Sequence, residues 1–455
     1  MEKENAKKLD MTTGSVTGKL LLFTLPILAT NLLQHLYNAA DKAVVGNFAA
    51  DGSGALAAIG ATTSAITLLL NSFIGLALGA NVICANLRGA GNFDRLRKAM
   101  HTSLVLAALL GFFVLLFGQL ITEPFLTLMG CPEEVMDSAL LYMRLYLLGA
   151  PFSLLYNFGA AILRSSGDTR RPMVILGISG LVNVGLNMIF VICFGMSADG
   201  VAMATVISQL LSAVVVLWIL FKSDGGYDLN LRELKFHKKE LAAITRVGIP
   251  SGINNALFSI ANVTVQSSIN SLGPDAMAGA STSSGIGGLV IQVVSAFSSA
   301  NVSFSGQCFG AKKYDRIHKL LRTSLVLCLS VMACLTVTIT LTPRTFQLIF
   351  TDNENAIRAG TPQLIIMCWS YLIYSFSDLT LGVLRGMKYS TIPTLLNVVC
   401  ICLPRLIWIF FFFPMLRELW FLYLCYPISY IISSIAQVTF YLCVRKNIRT
   451  QAKEG

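Results

Sequence analysis

A chain of 455 residues that is 55% hydrophobic, 13% charged and +0.69 in mean hydropathy lies outside the range of soluble globular proteins. Its net charge of +11 could suit nucleic acid, but the Lys and Arg residues sit in short clusters between apolar runs, where membrane topology explains them. Composition therefore excludes a soluble enzyme and a nucleic-acid partner, and points to a polytopic membrane protein. The 11 cysteines are scattered without the paired spacing of a zinc site or a disulfide framework. Even Cys400 and Cys402 read as small apolar residues.

Taking about 20 apolar residues per span, the spacing predicts twelve helices. They run over 17–45, 54–82, 99–121, 135–160, 171–194 and 198–222, then 241–270, 276–304, 320–342, 358–384, 390–413 and 418–444. The polar start 1–16 lacks a small-residue cleavage site, so the first helix is expected to be retained. The break 223–240 separates lobes at 17–222 and 241–444, and a tail follows at 445–455. Most of the 34 basic residues then fall on one side of the membrane, which predicts a multi-pass cell-membrane protein with both termini, the break and the tail cytoplasmic. The loop bearing Glu123, Glu133, Glu134 and Asp137 is expected outside.

The first span holds an ionisable residue, Asp41, and a carboxylate at membrane depth marks a functional site by default. Asn31, Gln34, Asn38 and Asp41 share one helical face, which should look at a wet cavity. Asp41 could bind a proton or supply an oxygen to one Na+, or it could be a structural acid satisfied by Asn38 or a nearby lysine. Pro26 removes a backbone hydrogen bond and is either a hinge or a static kink. Arg144 and Arg405 lie within spans. Arg144 is expected to be paired or snorkelling, and Arg405, after Pro404, to be met by freed backbone carbonyls. For Asp378, seven residues before Arg385, a local ion pair or water is the first reading.

The two halves repeat each other. Leu25-Pro26 and Ile249-Pro250 open their first helices, each followed by Asn at the fifth position, Asn31 and Asn255. GAGNFDRLRKAMHTSLVL from Gly89 recurs without a gap as GAKKYDRIHKLLRTSLVL from Gly310, and Leu163-Arg164 with Pro172 recurs as Leu384-Arg385 with Pro393. Six spans per half make this a parallel repeat about an axis along the membrane normal, an arrangement suited to alternating access in transporters. Along the seventh helix Asn255, Ser259, Asn262, Gln266 and Asn270 repeat the polar stripe, but Val265 stands where the first helix has Asp41. That stripe either lines a substrate path by hydrogen bonding or joins helices together.

Five segments carry a family resemblance: LYNAADKAVVG (Leu36–Gly46), GAGNFDRLRKA (Gly89–Ala99), LRSSGDTRRPM (Leu163–Met173), NVGLNMIF (Asn183–Phe190) and GIPSGINNALFSIANVTVQSSINSLG (Gly248–Gly273). With these, nearly the whole chain resembles multidrug and toxic compound extrusion (MATE) transporters, in the superfamily that also holds polysaccharide and lipid-linked flippases. The resemblance implies an all-α membrane fold of twelve helices in two six-helix lobes related by a pseudo-two-fold, together V-shaped. It also implies secondary export of amphipathic, often cationic, compounds by antiport with H+ or Na+. A first-lobe cation site is implied at Asp41, Asn183, Asn187 and Thr205, with Asn187 where relatives often have a second acid. Bending of the first helix on protonation would make Pro26 its hinge. No acid lies near Ile286-Gly287-Gly288, so a second-lobe ion site is not expected.

The expected substrate cavity is lined by Asn31, Gln34, Asn38, Asn255, Asn262 and Gln266. No Walker, HExxH, DFG or nucleophile-elbow motif occurs, so neither an enzyme nor ATP-driven transport is expected. Beyond H+ or Na+ no cofactor is expected, and the expected partners are the bilayer and small amphipathic substrates, with no ATPase subunit, for a monomer. A lipid-linked sugar flippase is the alternative; it would want more basic residues in the cleft than Arg144 and Arg405.

Overall fold

The computed structural model describes residues 9–49, 52–128 and 131–454, with side chains left aside at 53, 270, 274, 275 and from 449 onward. Helix dominates and no strand occurs among the described residues, as expected where a bilayer leaves backbone groups no partner but their own helix. The first half of the chain comprises α1 (Val16–Phe48), α2 (Gly52–Gly89), α3 (Phe93–Leu128), α4 (Glu133–Leu148), α5 (Ala150–Ser165), α6 (Arg170–Met188) and α7 (Ala198–Phe221). The second comprises α8 (Lys238–Asn270), α9 (Pro274–Gly310), α10 (Tyr314–Leu341), the short α11 (Pro343–Gln347), α12 (Glu354–Gly386), α13 (Thr391–Ile407), the short α14 (Leu419–Tyr423) and α15 (Cys425–Glu454).

Several helices overrun the expected limits. Hydropathy sees only the apolar middle of a span, whereas α2, α3 and α9 continue past it as helix. The fourth span is α4 and α5, bent by 45° at Gly149, where Pro151 withholds an amide from the ladder. Among the described residues ten helices are long and apolar enough to cross a membrane, eleven with that bent pair. Expected span 241–270 is not among them. Its helix, α8, spans 33 residues, but Asn254, Asn255, Ser259, Asn262 and Gln266 dilute its hydropathy.

The sequence repeat reappears as a repeat of elements. Four spans start at matched positions, namely Phe93 and Tyr314, Glu133 and Glu354, Arg170 and Thr391, and Ala198 and Leu419. In both halves the fifth span relaxes into a π-helical turn, Ile189–Cys193 after α6 and Trp408–Phe412 after α13. The copies also differ. α12 is unbroken where α4 and α5 bend, and α15 runs on to Glu454 where its counterpart α7 stops at Phe221. Phe410, Phe411 and Phe412 are exposed, as a lipid-facing end should be, while Phe413 is buried.

Two compact units emerge, residues 1–10 with 29–255, and residues 11–28 with 256–455. These units cut across the limits 17–222 and 241–444, because each six-helix set trades away the first half of its own opening helix. Met11, Val16, Leu20, Phe23 and Ile27 are buried in the core of the second unit with Val290, Phe297 and Phe304. Just ahead of α1, Arg316 donates to the carbonyls of Met11 at 2.7 Å and Gly14 at 2.8 Å, and Lys313 donates to that of Thr12 at 2.9 Å.

The break 223–240 is docked rather than loose. Arg97 of α3 pairs with Asp228 and Glu233, each at 3.0 Å, and Arg95 pairs with Glu240 at 2.9 Å. His101 bonds through Nε2 to the backbone of Asn230, and Thr102 bonds to His237. Tyr227 is buried, and burial pushes its phenol up to about 12, so it stays neutral beside the Ser165 hydroxyl at 3.2 Å.

Candidate functional site

In the first unit, α1, α6 and α7 bring Asp41, Asn183, Asn187 and Thr205 together. Asn183 and Asn187 are four apart on α6 and so share a face; both are buried. The Asn187 amide nitrogen donates to Asp41 Oδ1 at 2.5 Å and to Asn183 Oδ1 at 3.4 Å. Asn183 in turn donates to Thr205 Oγ1 at 3.4 Å, whose hydroxyl is anchored on the Val201 carbonyl at 2.9 Å. The chain of bonds runs Thr205, Asn183, Asn187, Asp41.

That network leaves one atom over. Asn187 Oδ1 is buried and meets no donor among the described residues. An unmet buried acceptor costs about 1–3 kcal/mol, and here it belongs to the side chain holding the carboxylate. Turning this amide by half a turn would aim Oδ1 at Asp41. Two acceptors can face each other only with a proton or a cation between them. The donor set of one carboxylate, two amide oxygens and a hydroxyl is hard oxygen throughout, which fits Na+ as well as a proton.

The approach of α1 to α6 is fixed one turn away. Tyr37 lies four residues before Asp41, and its hydroxyl donates to the Gly177 carbonyl at 3.1 Å. Its ring covers Gly180, where an added Cβ would sit 1.8 Å from Tyr37 Cζ. Only glycine admits the ring, and the ring sets the register that aligns Asp41 with Asn187. From α4, Tyr142 and Tyr146 lie within electrostatic reach of Asp41, their ring centroids 6.0 Å apart. Sequence reading missed Tyr37, Gly180 and these two tyrosines. Their only signals were Tyr37 one turn before the acid and the i, i+4 pair on α4.

The other stripe residues differ in exposure. Gln34 and Asn38 of α1 are exposed and Asn31 is half-buried. On α8, Asn255 donates to the Asn71 carbonyl at 3.3 Å, and Asn262 and Gln266 are exposed. Asn270 has its side chain outside the described residues. Pro26 lies inside α1, which stays helical across it.

Arg144 is exposed and faces Glu123 at 3.6 Å, the paired state expected of it. Arg405 departs from expectation. It is almost fully buried, with its guanidinium 4.2 Å from the Tyr426 ring, 5.1 Å from Tyr430 and 5.9 Å from Phe258. Aromatic faces rather than freed carbonyls surround it; Nε donates to Ser429 Oγ at 3.4 Å, and Nη2 meets no acceptor among the described residues. Asp378 accepts from Tyr374 at 3.1 Å rather than closing an ion pair with Arg385, whose Nη2 donates to Thr394 at 3.4 Å. Among the described residues no three His, Cys, Asp or Glu side chains cluster, and the cysteines are free.

The MatE family model matches residues 26–189 and 250–410, one segment in each half and well over half the chain together. A probable multidrug resistance protein, YoeA of Bacillus subtilis, is 27% identical over 85% of both chains. A probable multidrug resistance protein, NorM of Thermotoga maritima, is 26% identical over 86% of this chain and 84% of its own. Among solved structures, a MOP superfamily transporter from Pyrococcus furiosus superposes with a TM-score of 0.89 at 21% identity, covering 96% of this chain and 98% of the other. That likeness confirms the two-lobe, all-helical fold. On the family model, which matches both halves, the chain belongs to the MatE family, as a multi-pass MATE family transporter.

Proposed function

We propose that this transporter exports amphipathic, often cationic, compounds by antiport, with Asp41 carrying the coupling H+ or Na+. The observation behind this reading is the Asp41–Asn187 bond of 2.5 Å beside the orphaned Asn187 oxygen. In this reading the Asn187 amide N–H holds the carboxylate while it is ionised. Arrival of a proton or Na+ removes the need for that donor, so the amide turns, Oδ1 gains a partner, and Asn183 and Thr205 shift with it. The proposed signal reaches the rest of α1, with Pro26 as the hinge. Transport then proceeds by alternating access of the lobes.

Multidrug names among relatives support the substrate class. The proposed substrate path includes Asn31, Gln34, Asn38, Asn255, Asn262 and Gln266. The proposed setting is the cell membrane with both termini cytoplasmic, for a monomer that needs no cofactor, ATPase subunit or nucleic acid. The flippase alternative wanted free basic residues for a pyrophosphate. Arg144 is held by Glu123 and Arg405 is enclosed by rings, which weighs against it.

The test is efflux of a fluorescent cation from proteoliposomes under a pH gradient and a Na+ gradient imposed separately. Wild type should respond to one of them and Asp41→Asn to neither. Undiminished gradient-driven efflux in that variant overturns the assignment.

A further inference from the structure

We infer that the second unit binds the headgroup of one anionic phospholipid in a groove at the start of α10. The groove has a volume of about 830 Å³, and its polar side is formed by His318, Lys319, Arg322, Tyr441 and Arg445 together with Asp315. Lys319 and Arg322 are exposed, one turn apart on the same face of α10. Arg445 comes from α15, and its Nε is buried without an acceptor among the described residues. His318 bonds to the Tyr441 hydroxyl, with the two rings edge-on at 5.8 Å, and so forms a fixed wall. With Asp315 as the one acid, three cations leave a net surplus of positive charge.

The internal repeat supplies the control. At the matching positions of α3 stand Asp94, Arg97, Lys98, His101 and Thr102. There the docked break covers the face, with Asp228 and Glu233 neutralising Arg97 and Asn230 capping His101. In that unit the chain turns back after α7, Leu229 donating to the Leu220 carbonyl at 3.1 Å. After the twelfth span it does not turn back, because α15 continues as helix to Glu454. Among the described residues none of Lys319, Arg322 and Arg445 has an ion pair. The same surface is thus filled and neutralised in one copy and, among the described residues, open and basic in the other.

The rest of the lining identifies the class of occupant. Leu321, Val326 and Leu327 continue the groove along α10, and Val326 is 64% exposed. A phosphate at the Lys319, Arg322 and Arg445 end would have an acyl chain directed along this apolar side. A soluble phosphate would use only the first half of the groove.

Native mass spectrometry of the full chain from mixed micelles of phosphatidylglycerol and phosphatidylcholine tests this. One phosphatidylglycerol should be retained over phosphatidylcholine by about tenfold or more. Lys319→Gln/Arg322→Gln/Arg445→Gln should abolish the preference, and Arg322→Gln alone, at an exposed site, should lower it several-fold. Arg232→Gln/Lys235→Gln/Lys239→Gln, with the same loss of charge on the break, should leave it unchanged. Equal retention of the two lipids, or an undiminished preference in the triple groove variant, overturns the site. Displacement of the lipid by millimolar inorganic phosphate overturns the lipid assignment in favour of a soluble anion.

Discussion

Asp41 and Val265 hold the same station on the opening helices of the two halves, and their surroundings have opposite character. Around Asp41 stand two amides and a hydroxyl, linked in series, with one oxygen unmet. In the second half the positions matching Val184 and Thr205 are Arg405 and Tyr426, and those two side chains stack at 4.2 Å. A permanent cation wrapped in aromatic rings cannot titrate in any accessible range, whereas a carboxylate beside rotatable amides can gain and lose a proton or metal ion. At these matched stations one half carries a carboxylate beside rotatable amides and the other a guanidinium among aromatic rings. The difference lies in the side chains at matched stations, since the helices themselves still correspond.

The sharpest way to break this comparison is to move the acid. Asp41→Asn should reduce gradient-driven efflux to background, and Val265→Asp added to it should not restore efflux, because the new acid would meet no amide relay. Recovery in proteoliposomes would show that the surroundings are interchangeable. Next in size is Gly180→Ala, whose Cβ must displace the Tyr37 ring. We expect about 1–3 kcal/mol of destabilisation and coupled efflux about tenfold lower. Gly185→Ala on the same helix, with open space around it, should be near neutral by thermal melting and by transport.

A smaller effect is expected in the second half. Tyr426→Leu removes the ring nearest Arg405 and should cost about 2 kcal/mol, read as a lower Tm in detergent. Arg405→Met in that background should recover much of the loss, since an apolar side chain of similar volume avoids burying an unmatched charge. An additive double variant would mean that the ring and the cation are not coupled. The subtlest test is Asn187→Asp, which places a second acid beside the first. Efflux driven by an inward proton gradient falls as the outer solution is made alkaline, in one step for a single acid. With two coupled acids it should fall in two steps. A single-step profile in this variant would mean that Asp41 does not share its site with residue 187.

Much of this was legible beforehand. The repeat was visible because α3 and α10 kept the same loop and helix start, and the same spacing carried through to Leu163-Arg164 and Leu384-Arg385. Asp41 stood out because a carboxylate inside an apolar run demands an explanation. Asn183, Asn187 and Thr205 were reached by resemblance, and the structure brings them into one chain of hydrogen bonds. Other features could not be read along the sequence. The seat of Tyr37 on Gly180 depends on two helices 140 residues apart meeting at one register. The cage of Arg405 depends on rings four residues apart on α15 turning toward α13. Expected span 241–270 carries so many amides that its helix is recognised by its place in the repeat and not by hydropathy.

The division of α1 between two compact units bears on how the protein is made. Residues 11–28 are synthesised well before residues 256–455, which build the core that buries Phe23 and Ile27. At about 5–20 residues per second, that half of the helix waits many seconds before its partners exist. Until then its apolar side chains have lipid or a chaperone for company. Cutting the chain within 223–240 would accordingly give two fragments that each lack part of a core, and neither should insert and fold alone as well as the pair made together.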